Sequence, residues 1–361
     1  MRAQDFNFEK YLAFKEEKDK SYTRFLENKY NEVPIIQMAS GEHWSGLCRY
    51  KEESLEAQLD FLTDSMSLKT DFIFGYLEPW YGVGIYAAAY GCKYIWYGND
   101  APQVLPVINK IDELKDFKHP SIYDCEEMLA VLDILKYFKD KTGGVLDISL
   151  TDTQSTNDTA SLIMSTEEFF GASAEEPEIL DPFLTSITKL IIDFSECQME
   201  AIGDCLAAPG HIMVSLRGGK GISISDDNMS FLSPTVYART SLKYNDMISD
   251  HFGGIAVHSC GNIGHNLELL RDSKGIQIAD LAVGNIPDPS PCDAAQVAKI
   301  FHNSQVIVKA KVGWNEIEKI APLVSPEIRL IVQLATSGSV EERNCQYESA
   351  REEINNICSP A

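Results

Sequence analysis

The chain has 361 residues, 44% hydrophobic and 24% charged, an ordinary globular balance with apolar material for a full core. Its 31 basic against 54 acidic residues give a formal charge of -23. A surface of that sign repels phosphate backbones and anionic lipid, which argues against nucleic acid and membrane surfaces as partners.

Residues 1–32 are expected to form a helical extension, because Phe8, Tyr11, Leu12 and Phe14 recur at helical intervals with charges between them. This segment is charged and has no apolar run, so no signal peptide is read. From residue 33 to 361 apolar strand-like runs alternate with helical stretches. Strands are expected near 34–38, 71–75, 145–151, 211–216, 254–259, 276–282, 305–311 and 328–334. Helices are expected over 126–140, 175–205 and 234–251, and in each later interval, including WNEIEKIAPLV. The stretch TDTQSTND reads as a polar loop. Strands separated by helices imply right-handed crossovers and a parallel sheet. Eight strands predict an α/β fold, a single (β/α)8 TIM barrel carrying the N-terminal helical extension. A doubly wound sheet would show a Gly-rich phosphate turn after its first strand, and VPIIQMASGEHW has none.

No stretch approaches the roughly 20 apolar residues that span a bilayer. The nine cysteines are odd in number and loosely spread, which fits a reducing compartment. A cytoplasmic location is the expectation.

Barrel chemistry sits at the carboxyl ends of the strands. Glu42 and His43, after the first strand, supply a carboxylate and an imidazole for acid–base work, and Asp226 with Asp227 supply a carboxylate pair. As neighbours in an extended segment, those two aspartates face opposite ways, so one at most enters a pocket; turn or cap duty is the alternative. Trp44, Trp80 and Tyr81 are candidates for an aromatic wall, or for core packing. Tyr76, Gln154, Arg217 and Lys311 complete the substrate-binding candidates, while Lys309 is expected at the surface or the barrel bottom. The run RGGKGIS lacks P-loop spacing.

The sharpest signal is GGIAVHSCGN. His258 and Cys260 lie two apart at a strand end, so both point the same way. Imidazole and thiolate suit zinc, although a catalytic zinc needs a third protein ligand. A buried cysteine beside a hydrogen-bonded histidine is the alternative.

With GISISDDNMSFLSP before it and EPWYGVGIYAAAYGC earlier, this segment resembles the uroporphyrinogen decarboxylase superfamily from about Val33 to Glu353. That resemblance implies a barrel. It also points to the branch of zinc-dependent methyltransferases that move methyl groups from corrinoid proteins to thiols. His258 and Cys260 match the metal pair of that branch. Its third ligand, a cysteine after the last strand, falls on Thr336-Ser337-Gly338-Ser339. Cys345 or Cys292 would have to substitute, or a carboxylate from Glu341, Glu342 or the Glu42 loop. Ser339 and Glu342 also read as a capping box. The decarboxylase branch is less well matched. Its substrate-binding arginines fall on Ala39 and His43, its second-strand aspartate falls near Tyr76, and QLATSGS lacks its histidine. The implied function is methyl transfer with zinc, a partner corrinoid protein and a small substrate such as a thiol. A metal-independent lyase or decarboxylase using Asp226 or Asp227, and a non-catalytic corrinoid-pathway binder, are the alternatives.

Overall fold

The computed structural model describes residues 1–37, 45–98 and 100–358. Eight short parallel strands organise it: β1 (Ile35–Gln37), β2 (Tyr76–Leu77), β3 (Asp147–Ile148), β4 (Ile222–Ser225), β5 (Ile255–His258), β6 (Ile276–Ala282), β7 (Ile307–Gly313) and β8 (Arg329–Ala335). Six of them form one sheet in the order β1-β8-β7-β6-β5-β4, and β2 pairs with β3. Segments flanking that pair reach both edges of the sheet. Asp71 N–H donates to Ile35 O at 2.9 Å, and Ser225 N–H donates to Thr153 O at 2.9 Å. This α/β arrangement of sequential parallel strands is consistent with a (β/α)8 barrel.

Side-chain parity divides the strands between two apolar clusters. Ile255, Val257, Ala279, Leu281, Val308, Ala310, Leu330 and Val332 pack outward with the helices. Ala256, Ile278, Ile307 and Ile331 pack inward with Phe72, Phe74 and Tyr76. Successive strand residues face opposite sides, and both sides here are buried. That is why the strands read as nearly continuous apolar runs.

The N-terminal helix Phe8–Leu26 is capped by Asn7, whose side chain accepts from Lys10 N–H. Its buried positions are Tyr11, Lys15, Tyr22 and Phe25, one stripe of the helix. Arg329, the first residue of β8, donates to Leu26 O at 3.1 Å, and Lys15 meets Asp147, the first residue of β3. The helix therefore closes the floor, at the amino ends of the strands.

Four expectations shift. The fourth sheet strand is Ile222–Ser225, not 211–216. The latter region forms an antiparallel turn-back, Ala207–Ala208 against Leu216–Arg217, whose connecting loop sends Met213 and Val214 into the inner cluster. The second strand begins at Tyr76, five residues later than expected. Within TDTQSTND a helix, Thr156–Ile163, starts behind Ser155, whose side chain accepts from Asp158 N–H. WNEIEKIAPLV becomes a 3-10 turn, Ile317–Leu323, containing Pro322, which lacks a helical donor. The capping box is present: Glu342 accepts from Ser339 N–H at 2.7 Å and Glu342 N–H donates to Ser339 Oγ at 3.2 Å. Among the described residues, no helix is long and apolar enough to cross a membrane.

Candidate active site

Toward the strand carboxyl ends the inward face turns from apolar to polar. Ala256 gives way to His258, Ile278 to Asp280, and Ile307 to Lys309 and then Lys311. Register sets Ser225 beside His258, His258 beside Asp280, and Asp280 beside Lys309. Alternation and register thus gather these residues without any help from loops.

Asp280 is the hub. Its Oδ2 lies 2.7 Å from His258 Nδ1, and its Oδ1 accepts from Lys309 Nζ at 3.0 Å. Lys311 Nζ approaches Asp280 Oδ2 to 3.6 Å and His258 Nδ1 to 3.2 Å. Burial alone would raise the Asp280 carboxyl. The charges of Lys309 and Lys311 and the histidine hydrogen bond overcome that and hold it well below the usual carboxylate range. Burial also pulls Lys309 down to about 8, with Lys311 adding repulsion. Lys309 is an interior residue whose ammonium sits over the Phe74 ring, so its expected surface or bottom position is corrected.

Of the two groups at Nδ1, the Asp280 carboxylate is the nearer and only accepts, which favours the proton on Nδ1 with the Nε2 lone pair facing outward. Cys260 Sγ lies 3.3 Å from that nitrogen, and Asp227 Oδ1 lies 3.8 Å from it. The three ligand atoms of Asp227, His258 and Cys260 lie within 4.8 Å of one another. Asp227 Oδ1 also accepts from Cys260 N–H at 2.7 Å. Gly261, at φ 76°, then turns the chain away, and its N–H donates to Asp288 at 2.7 Å. Burial and the Asp227 charge push the Cys260 thiol up to about 11.

Asp226 and Asp227 face opposite ways. Asp226 is fully buried and accepts from Ser155, Tyr237, Ser241 and Asn245. Its catalytic assignment is corrected to a structural one, because four donors occupy it beneath the surface. Asp158 holds the turn by accepting from the N–H groups of Asp227 and Asn228 at 2.6 and 2.9 Å.

Other candidates fall elsewhere. Arg217 donates to Asp147 at 2.7 Å on the floor, so its substrate role is corrected; it belongs to the turn-back and not to a strand of the main sheet. Tyr76 is buried in the inner cluster and donates to Met213 O at 3.1 Å, leaving Glu78 as the carboxylate at that strand's end. Trp80 is half-buried, and Tyr81 packs against Tyr94 and Trp96. Cys292 is buried with its thiol toward Gly261 O, and Cys345 is exposed beside Trp314, Glu341 and Glu342. Neither lies in the group formed by Asp227, His258 and Cys260. Glu42, His43 and Trp44 lie outside the described residues.

A second polar group lies at the same end of the strands, next to Ser225. His211 Nδ1 is 2.6 Å from Glu78 Oε1, and its Nε2 is 3.4 Å from Asp152 Oδ1. Gln154 and Ser225 also donate to Asp152 Oδ1, at 2.9 and 3.2 Å. Burial works against a charged His211, but Asp152 and Glu78 more than offset it and raise its pKa to about 9. Glu78 and Asp152 lie just past their strands, and His211, which sequence reading missed, enters from the turn-back loop.

Fold and site together define an α/β protein with its donor groups collected at the carboxyl ends of parallel strands, the layout of an enzyme of barrel type. The family model described as uroporphyrinogen decarboxylase (URO-D) matches residues 80–307, and the chain belongs to that family. A methyltransferase from Methanosarcina mazei is similar in structure, with a TM-score of 0.65 at 15% identity, covering 94% of this chain and 99% of its own. No curated protein matches the chain.

Proposed function

We propose that the chain is a methyltransferase-like enzyme on a closed (β/α)8 barrel, with Asp227, His258 and Cys260 as ligands for zinc. The observation that carries this reading is the convergence of those three ligand atoms, with the far nitrogen of His258 anchored on Asp280. One carboxylate, one imidazole and one thiol are a zinc donor set, and a carboxylate behind the histidine is the usual supporting partner. The structural likeness to a methyltransferase supports the reaction class. The methyl donor in this reading is a corrinoid protein and the acceptor a small thiol.

When bound, zinc supplies a positive charge that lets a thiol ionise at neutral pH. The chain's own residues prepare for it. Asp280 keeps the His258 proton away from the ligand side. Asp158 fixes the backbone of Asp227, and Cys260 N–H aims the Asp227 carboxylate. Lys309 and Lys311 more than balance Asp280, so the buried carboxylate does not leave a net negative charge behind the histidine. The metal-free alternative on Asp226 has no support in the geometry, since that carboxylate is sealed in.

Metal analysis of protein purified without chelator tests the reading. About one zinc per chain is expected in the wild type, with loss in Cys260→Ala. Asp227→Asn is expected to weaken zinc binding about 10- to 100-fold. A wild-type protein that stays metal-free after zinc is added back would sink the proposal.

A further inference from the structure

The floor carries a cavity that the chemistry above does not use. It holds about 360 Å³ and lies between the N-terminal helix and the amino ends of β6, β7 and β8. That volume falls in the range of small-molecule pockets, roughly 300–1,000 Å³. Its walls are largely aliphatic, from Leu26, Leu216, Ile276, Ile278 and Ile307. The run RGGKGIS also reaches it. Gly219 and Lys220 line the cavity, and Gly221, at φ 81°, turns the chain into β4.

Charge is arranged here against the trend of the whole chain. The chain has 54 acidic and 31 basic residues, yet Lys220 and Arg329 line this cavity and, among the described residues, no aspartate or glutamate does. The Arg329 guanidinium donates to uncharged acceptors, Gln305 O at 3.2 Å, Leu26 O at 3.1 Å and Phe25 O at 3.5 Å, and its Nε has no partner. Burial lowers its pKa, and the opposing influence is the Tyr22 phenol, not a carboxylate.

Tyr22 completes the group. It lines the same cavity and is 4% exposed. Its ring packs on Phe25 and Phe72, and among the described residues its hydroxyl has no hydrogen-bond partner. Burial raises its pKa more than the Arg329 charge lowers it, so the hydroxyl keeps its proton and remains a donor. A buried donor without an acceptor is costly, and an anion in the cavity would remove that cost. The planar guanidinium fork matches the two oxygens of a carboxylate. A cation would be repelled, and an inorganic anion would leave the aliphatic wall uncovered.

We propose that this floor cavity binds a small aliphatic carboxylate. Tyr22 and Arg329 take the carboxylate group, the exposed Lys220 adds positive charge, and Ile276, Ile278 and Ile307 take the hydrocarbon body. The site stands at the opposite end of the strands from the metal group and does not depend on the methyl-transfer reading.

Calorimetry on the full chain with hexanoate tests the assignment. Hexanoate is expected to bind, and hexylammonium, of equal length and opposite charge, is not. Acetate, which lacks the hydrocarbon body, is expected to bind about tenfold or more weakly than hexanoate. Tyr22→Phe keeps the ring and removes only the hydroxyl, and is expected to weaken hexanoate binding about tenfold, the effect of one hydrogen bond to a charged group. Arg329→Gln is expected to weaken it at least as much. Arg329 also holds the end of the N-terminal helix, so a readout without any variant is added: hexanoate should raise the thermal midpoint of the wild type, and hexylammonium should not. Cys260→Ala is expected to leave hexanoate affinity unchanged. No hexanoate binding, equal binding of hexylammonium, or wild-type affinity in Tyr22→Phe and Arg329→Gln would each overturn the proposal. A loss of binding in Cys260→Ala would move the carboxylate to the mouth and overturn it as well.

Discussion

The floor and the mouth of the sheet both bury charge, and they do so differently. On the floor, Asp147 meets Arg217 Nε at 2.7 Å through one oxygen and Lys15 Nζ at 2.8 Å through the other. Each acceptor edge faces a cation, and no ligand atoms are left facing one another. At the mouth, Asp280 is just as fully engaged, but its engagement turns His258 Nε2 toward Cys260 and Asp227. A buried ion pair is therefore no sign of chemistry by itself. What marks the mouth is donor atoms left facing each other after the supporting pairs are complete.

Breaking the hub should have the largest effect. Asp280→Asn strands Lys309 inside the sheet without its charge partner, and a loss of about 3–5 kcal/mol is expected in denaturant unfolding. Next comes the pH response of His211. Its pKa in the fold, about 9, is above the ordinary value near 6.5. Its contribution is thus fully present below about pH 6.5 and lost as pH rises through about 9. His211→Gln should be less stable than wild type by about 2 kcal/mol at pH 6, and thermal melts should show the gap closing by pH 10. On the floor, Lys15→Met should cost about 1–3 kcal/mol, because Asp147 keeps Arg217, and should leave zinc content unchanged. That contrast is the sharpest test of the comparison: a floor variant that loses metal would dissolve it. The smallest effect expected is Ser339→Ala, about 1 kcal/mol from one lost helix cap, read from the denaturation midpoint.

Much of the sheet was legible in the sequence. The run IQIADLA matches β6 residue for residue, and the ends of β7 and β8 lie within two residues of expectation. The misreading of 211–216 has a physical cause. HIMVSL is apolar because it plugs the inner cluster as a loop, and burial alone does not distinguish a strand from a plug. Misplacing that strand also sent Arg217 to the wrong end of the molecule. Asp227 was named for acid–base work and not as a ligand, since nothing local shows its carboxylate meeting the Cys260 N–H 33 positions away.

What the sequence determined by itself was local: the apolar strand runs between helical stretches, the parity that points His258 and Cys260 together, the Ser339–Glu342 cap, and the family likeness in HSCGN. Tertiary structure decided the pairings, because those depend on register between strands and on where a loop enters. His211 and Glu78 are 133 residues apart, and no spacing rule joins them. Only the lateral order of the strands brings a carboxylate behind the imidazole, a third donor in front of it, and a second charged group to the same end of the sheet.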